Sequence, residues 1–368
     1  MVLVKAKRDE LLGPLSSVSG IIERRHTLPI LSNVLIDRVD HGLSFLATDI
    51  EIQITARSAL EQSGDAHALT VGARKLVDIL RALPESAEVT LQQQDKRLLV
   101  KAGKSRFTLQ TLPAEDFPRL SKPVGEAARF SVPQKALRRL LGLVQYAMAQ
   151  QDIRYYLNGL LMLVEEKQLR LVATDGHRLA YASMALDAQL PRQEVIVPRK
   201  TVIELSKLLG DVDDEVKVDI SSTQAAFNFG SVELVSKLVD GKFPDYTRVI
   251  PTQHKNMLEV DREVLRQALL RAAILSNEKF RGVRWVLTQG SLKIVSSNAE
   301  QEEAHEEIEV TYTGEPIDIG FNVNYLLDVL NNVSGPKVEC AFGDSSSSAL
   351  LTFASEPEFK YVVMPMRI

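Results

Sequence analysis

The sequence predicts an α+β protein built from three tandem similar domains, each a pair of helix-plus-antiparallel-strand halves. Two observations predict it. Helix-like and strand-like segments recur in the same order three times, at an interval of about 125 residues. The chain, at 368 residues, is also too long for one ordinary hydrophobic core. The recurrence sets domains at 1–127, 128–254 and 255–368.

Each copy opens on a helix-like segment. These are Asp9-Glu10-Leu11-Leu12-Gly13-Pro14-Leu15, Pro133-Gln134-Lys135-Ala136-Leu137-Arg138-Arg139-Leu140-Leu141 and Asp261-Arg262-Glu263-Val264-Leu265-Arg266-Gln267-Ala268-Leu269. Each begins on Asp or Pro, a helix-start signal, and continues with apolar residues at helical spacing. Pro14 is expected to disturb the first, because a proline removes a backbone donor inside a helix. The N-terminal run Met1–Asp9 has no uninterrupted apolar stretch of signal-peptide length and reads as a strand leading into that helix.

Paired strands joined by short polar turns follow, as in hairpins. Val34-Leu35-Ile36 leads to Leu43–Asp49, Leu160–Val164 to Leu169–Asp175, and Val283–Leu287 to Leu292–Asn298. A second helix comes next, over Val71–Leu80, Val197–Leu205 and Phe321–Leu330, with an acidic residue at the same place in all three: Asp78, Glu204 and Asp328. Further strands and a proline close each copy at Phe117-Pro118, Phe243-Pro244 and Met364-Pro365. The first boundary is marked by Pro123, Gly125 and the run Glu126-Ala127-Ala128, the second by Pro251-Thr252-Gln253-His254-Lys255.

Composition narrows the function. The apolar and charged fractions are ordinary for a globular protein. No apolar run is long enough to span a membrane. One cysteine, Cys340, rules out an internal disulfide framework and favours a reducing cytosol. The net charge of −4 argues against nucleic-acid binding unless charge is unevenly distributed. It is uneven: the six expected helices are net positive, so the rest is more acidic than the whole. A helix-lined surface of that sign suits loose phosphate contact without sequence readout. The ordinary alternative is amphipathic helices with Lys and Arg on solvated faces.

Catalytic motifs fail on their spacing. Gly103-Lys104-Ser105 suggests a phosphate loop, but position 98, where its first glycine belongs, is Leu98. The six histidines show no zinc-binding spacing, and no G-x-S-x-G elbow is present. Thr174-Asp175-Gly176-His177-Arg178 resembles an acid–base cluster, yet its repeat partner Thr48-Asp49 lacks the histidine. A turn or capping role for Asp49 and Asp175 is the expectation. The chain reads as no enzyme, with no catalytic residue, metal or cofactor. An enzyme with an unrecognised site at a domain junction and a peptide-binding repeat scaffold that does not encircle DNA remain as alternatives.

Six longer strings carry a family resemblance. They are Thr27–Leu31, Gln151–Gly159, Ala173–Leu179, Ser236–Tyr246, Ile274–Gly282 and the ending Tyr361–Ile368. The whole chain resembles the β sliding clamps of bacterial DNA polymerase III. The resemblance implies three similar domains in a head-to-tail homodimeric ring, with helices lining a central hole. It implies a DNA polymerase processivity factor that encircles duplex DNA without sequence specificity and tethers partners through a peptide groove.

The site residues follow from that resemblance. DNA contacts fall on Arg25, Arg74, Gln151, Tyr155, Tyr156 and, more weakly, Lys200. Tyrosines beside a guanidinium stack on bases or sugars, although adjacent tyrosines on a strand point to opposite faces and one of them can be core. The peptide groove falls on Leu157, Thr174, Gly176, His177, Arg178, Leu179, Pro244, Arg248, Val249, Asn322, Tyr325, Ser346, Val362, Met364, Pro365 and Met366. Methionine suits a surface that takes several peptides, and Arg248 suits a carbonyl or carboxylate latch. Ser346 departs from relatives that can be apolar there. Most of these apolar residues read equally as core between the second and third domains.

The dimer interface falls on Lys75, Lys104, Arg106, Phe107 and Leu109 against Ile274, Leu275, Glu300, Glu302 and Glu303. It would join a basic, alternating strand to an acidic cluster, whose ordinary reading is an edge strand and a solvated turn. The implied partners are primed duplex DNA, a second copy, the polymerase III α subunit and the clamp loader. Other replication and repair polymerases and mismatch-repair proteins would bind through short linear motifs. A cytoplasmic location without membrane contact completes the expectation.

Overall fold

The computed structural model describes residues 1–23, 28–39, 42–60, 67–122 and 128–367. The expected boundary markers Pro123, Gly125, Glu126 and Ala127 lie outside the described residues, as does Ile368. Among the described residues there are six α-helices: α1 (Arg8–Ser19), α2 (Ala73–Ala82), α3 (Gln134–Val144), α4 (Arg199–Leu208), α5 (Arg262–Ile274) and α6 (Val323–Asn332). They are the helices the repeat calls for. α1 continues through Pro14. Asp261 caps α5 by accepting from the Val264 amide at 2.9 Å, as its place in the sequence suggests. Asp78, Glu204 and Asp328 are each the sixth residue of α2, α4 and α6. No helix among the described residues is long and apolar enough to cross a membrane.

The chain forms two compact units, residues 1–136 with 203–238 and residues 137–202 with 239–368. The first holds a 12-stranded sheet in the order Val2–Lys7, Glu88–Gln94, Arg97–Ala102, Ser105–Leu112, His67–Gly72, Asn33–Val39, Gly42–Thr48, Ile52–Ala59, Val232–Lys237, Gln224–Phe229, Glu215–Ile220 and Ala128–Pro133. α1 buries Leu11, Leu15 and Val18, and α2 buries Leu76, Val77 and Leu80, the stripes expected of helices that cover a sheet.

The second unit has a seven-stranded sheet, Gly159–Thr174, Arg178–Pro198, Phe359–Val363, Ala349–Thr352, Lys337–Phe342, Asn256–Asp261 and Thr311–Tyr312. Beside it is a four-stranded sheet, Glu303–Glu309, Ser291–Ser297, Gly282–Thr288 and Ile317–Asn322. α5 and α6 bury Leu265, Leu269, Leu326 and Leu330.

The hairpin foreseen between Leu160–Val164 and Leu169–Asp175 forms within the continuous element Gly159–Thr174. The chain folds back at Glu166, Arg170 bonds Glu165 at 3.1 Å, and the two arms pair separately with residues 193–198 and 179–185. Glu166 takes a φ of 54°, and that left-handed residue does the work of the turn.

Consecutive copies are joined by strand pairing. In the first unit Ile52–Ala56 pairs antiparallel with Ser236–Val232, so that a closing strand of the second copy adds to the first copy's sheet. In the second unit Arg178–Ala182 pairs with Val363–Phe359 in the same way. Both pairings start from one turn. The Asp49 carboxylate accepts from the amides of Glu51 and Ile52 at 3.0 and 2.8 Å, and Asp175 accepts from His177 and Arg178 at 2.9 and 3.1 Å. The Thr48 and Thr174 hydroxyls donate to the carbonyls of Ile52 and Arg178. These aspartates are turn formers, as expected.

In the third copy Asn298 accepts from Glu302 at 2.9 Å across a turn one residue longer. The turn needs a left-handed residue. Gly176 supplies it at φ 89°, but Ile50 must adopt φ 71°, which its branched Cβ resists. Ile50→Gly should therefore raise the stability of the first unit by about 1 kcal/mol, despite glycine's freedom in the unfolded chain. Chemical denaturation followed within that unit checks this; an unchanged or lower midpoint would refute the strain argument.

Candidate functional site

A cleft of about 270 Å³ opens in the second unit beside the turn at Gly176. Leu157, Leu179, Phe243 and Val362 form its floor and belong to one buried apolar cluster with Ala149, Leu161, Val172 and Ile196. Leu179 and Val362 face each other across the strand junction, so the pairing of consecutive copies builds the floor. Arg154, Tyr156, Thr174, Gly176, Pro244, Tyr246, Val249 and Met364 complete the walls. Met364 is 43% exposed, and its amide donates to the His177 carbonyl at 2.8 Å, which fixes the C-terminal segment at the rim.

Beneath the rim lies a buried guanidinium. Arg178 is 9% exposed. It donates to Asp175 at 3.1 Å, Asp328 at 2.5 Å and the Tyr146 carbonyl at 2.6 Å. Its carbon sits 4.5 Å from the Tyr325 ring centre. Burial works against its charge, yet Tyr361, Asp328 and Asp175 hold it above the ordinary arginine value. The ring of His177 stacks on Tyr325 at 6.5 Å.

At the opposite wall Arg154 grips Asp152 through two bonds of 3.0 and 2.8 Å and reaches the Asp175 carbonyl at 3.1 Å. The Arg154 guanidinium holds the Asp152 carboxyl down at about 2. A Cβ on Gly176 would meet that guanidinium at 2.9 Å, so close approach as well as φ requires glycine there.

Of the residues expected in the groove, Leu157, Thr174, Gly176, Arg178, Leu179, Pro244, Val249, Val362 and Met364 line this cleft. The others lie in its surroundings or apart. Arg248 is largely exposed and paired with Asp245 at 3.1 Å. Asn322 caps α6 by accepting from Asn324. Met366 bridges to Gly320 through its backbone, and Pro365 is half-buried between them. The Ser346 hydroxyl donates to Asp344 at 2.8 Å, and the Ser347 and Ser346 hydroxyls hold that carboxyl at about 2. Sequence reasoning missed Arg154, Phe243 and Tyr246 as lining residues and assigned a fourth, Tyr156, to DNA contact. Phe243 carried a signal, because its repeat partner Phe117 is buried too.

The other expected sites are placed as follows. Arg25 lies outside the described residues. Arg74 is exposed on α2, and Lys200 is half-buried on α4. Gln151 lies in an exposed loop at φ 56°, and Tyr155 and Tyr156 sit on the 3-10 turn Tyr155–Leu157 and not on the expected strand, with Tyr155 exposed and Tyr156 lining the cleft. The two tyrosines therefore divide, one outward and one inward. Lys104 and Arg106 are exposed at the turn and start of Ser105–Leu112, with Phe107 and Leu109 half-buried along that strand. Lys75 is exposed on α2. Ile274, at the end of α5, is 76% exposed, and Leu275 beside it is half-buried. Glu300, Glu302 and Glu303 are exposed at the entry to the edge strand Glu303–Glu309.

The first unit contains an earlier copy of the cleft's framework, and it is polar where the cleft is apolar. Lys237 takes the place of Met364, donating its amide to Glu51 at 2.9 Å and its ammonium to the Glu51 carboxylate at 3.2 Å. Gln53 takes the place of Leu179 and accepts from the Leu120 amide at 2.8 Å. The second copy, by contrast, presents an apolar floor with adaptable walls, the usual make-up of a binding cleft.

Comparisons with known proteins agree along the whole chain. Family models describing the DNA polymerase III beta subunit match its N-terminal domain at residues 3–121, its central domain at 131–245 and its C-terminal domain at 247–367. The beta sliding clamp of Pseudomonas aeruginosa is 49% identical over 365 residues, covering 98% of this chain and 99% of the relative. That of Escherichia coli K12 is 49% identical over 362 residues, with the same coverage. A crystal structure of the Pseudomonas aeruginosa DNA polymerase III subunit beta superposes with a TM-score of 0.95 at 48% identity, covering 100% of both chains. The Caulobacter crescentus pol III beta structure gives 0.92 at 40% identity, covering 99% of each. The chain therefore belongs to the DNA polymerase III beta subunit family of sliding clamps, with that family's non-catalytic role as a DNA polymerase processivity factor.

Proposed function

We propose that two copies of this chain close head to tail into a ring around duplex DNA, with domains 1–127, 128–254 and 255–368 in each. The observation that carries this reading is a pair of complementary open edges. Among the described residues, Ser105–Leu112 pairs with a second neighbour only at Thr111 and Leu112, which leaves 105–110 free on one side. Glu303–Glu309 is the edge of its four-stranded sheet. The first edge carries Lys104 and Arg106, the second Glu303, Glu306, Glu307 and Glu309. Edges of opposite charge are matched for pairing, and exposed edges need cover.

The internal junctions supply a template for this closure. Phe107 occupies the place in its copy that Tyr361 occupies in the third, and Ile274 is the thirteenth residue from the start of α5, as Tyr146 is from the start of α3. Tyr146 and Tyr361 pack at 5.9 Å between ring centres. Phe107 against Ile274 of a second copy repeats that contact, with Leu109 and Leu275 beside it and Lys75 toward Glu300. Phe107→Ala should weaken the dimer at least about tenfold, the usual cost of a buried aromatic anchor. Sedimentation at graded concentration measures it, and an unaltered dimer would refute the contact.

Arg25, Arg74, Gln151, Tyr155 and Lys200 supply loose DNA contacts, with Tyr156 divided between that role and the cleft. The ring then works by topology. Affinity for short duplexes should be modest and fall steeply with salt. Chains loaded on nicked circular DNA should stay bound until the circle is cut; equally fast loss from circles and linear DNA would exclude encirclement.

The cleft at Leu179 and Met364 captures short linear motifs of apolar and acidic residues. The polymerase III α subunit, the clamp loader, other replication and repair polymerases and mismatch-repair proteins are the proposed bearers, in the cytoplasm. Removing residues 364–368 should abolish capture of such a peptide in a polarisation assay while the dimer persists. Retained peptide binding would place the site elsewhere.

A further inference from the structure

The acidic residue at the sixth position of α2, α4 and α6 meets the preceding copy differently each time. On α6, Asp328 forms an ion pair of 2.5 Å with Arg178 of the second copy. On α4, Glu204 is buried against Gly20 at the end of α1, where a Cβ would collide with its carboxylate. Gly20 and Tyr146 each stand twelve residues beyond the start of their helices, so Glu204 lies at the first junction as Asp328 lies at the second. On α2, Asp78 is exposed and has no ion-pair partner among the described residues. In a head-to-tail dimer its preceding copy is the third domain of another chain.

The residue that would receive it can be identified. Ile52, Arg178 and Glu302 are one position in three copies, because the backbone amide of each donates to the side-chain oxygen of the turn residue, Asp49, Asp175 or Asn298. Where Arg178 offers a cation to Asp328, the third copy offers the carboxylate of Glu302, itself held by Asn298 at 2.6 Å. We infer that Asp78 faces Glu302 of a second copy as a like-charge contact, which leaves the closing junction without the ion pair that locks the junction between the second and third copies. Lys75 and Arg81 sit three residues to either side of Asp78 on α2, so Asp78 is the acidic interruption of a basic face aimed at an acidic edge. The contact weakens the one junction that must open for DNA to enter.

The inference rests on the head-to-tail dimer proposed above, and the test separates the two. Asp78→Asn and Glu302→Gln are each measured for dimer dissociation by sedimentation at low and high salt, singly and together. Asp78→Asn is expected to tighten the dimer about threefold or more at low salt, with the gain shrinking as salt screens the pair. Glu302→Gln also removes attraction to the basic strand, so it serves as the background: Asp78→Asn should gain less in the Glu302→Gln chain than in the wild type, because the repulsion is already gone. An unchanged or weaker Asp78→Asn dimer, or an equal gain in both backgrounds, would overturn the inference while leaving the dimer standing. A wild-type chain that stays monomeric at every concentration would sink the dimer, and this inference with it.

Discussion

The cleft depends on the buried guanidinium of Arg178. Its three hydrogen-bonded acceptors come from separate places: Asp175 from the turn before its own strand, Asp328 from α6 and the Tyr146 carbonyl from the segment that follows α3. A charge so little exposed costs several kcal/mol if any partner is withdrawn. The three elements are therefore held together or not at all. They carry Leu179, the His177 carbonyl that anchors Met364, and Tyr325 under the rim, so the cleft is built before any ligand arrives. A preformed site spends little of a peptide's binding energy on ordering the receptor. That suits the proposed capture and release of short segments in turn.

Much of the architecture was legible because it is periodic. α1, α3 and α5 announce themselves by helix-start residues and apolar spacing, and the sixth-position acids of α2, α4 and α6 are visible in the sequence alone. The turn role of Asp49 and Asp175 was legible as well, since Thr-Asp followed by a small or left-handed residue is a turn with a mechanism. The residue that turns the chain within Gly159–Thr174 was not. The turn falls on the left-handed Glu166, a conformation that no residue preference of glutamate signals.

The site was legible by resemblance and poorly legible by physics. Arg178 and Asp328 are 150 residues apart, and nothing local says that one neutralises the other. The division between Tyr155 and Tyr156 was expected from alternation along a strand, but they sit on a 3-10 turn, and which of them enters the cleft is decided by the loop geometry that Arg154 and Asp152 impose. The repeat alone would place an equal cleft in each unit. Two substitutions break that symmetry: Gln53 stands where Leu179 does and binds the Leu120 backbone, and Lys237 stands where Met364 does and pairs with Glu51. Polar side chains that are satisfied by their neighbours turn the first copy into a fastening. Apolar ones give the second a packed floor at Leu179 and an exposed rim at Met364.

The same logic governs the proposed ring. Each chain contributes three junctions, and two of them are spanned by the chain itself, so their strands meet at the high effective concentration of tethered groups and close even when side-chain pairing is imperfect. The third has no tether, and its strength is set only by what its two edges carry. Apolar anchors at Phe107 and Ile274 hold it, and the opposite charges of Lys104, Arg106 and the glutamate edge steer it. A junction as firmly locked as the one at Arg178 and Asp328 would resist opening, while one without apolar anchors would not stay shut. Repetition supplies the geometry of closure three times over, and the departures from repetition make one closure reversible.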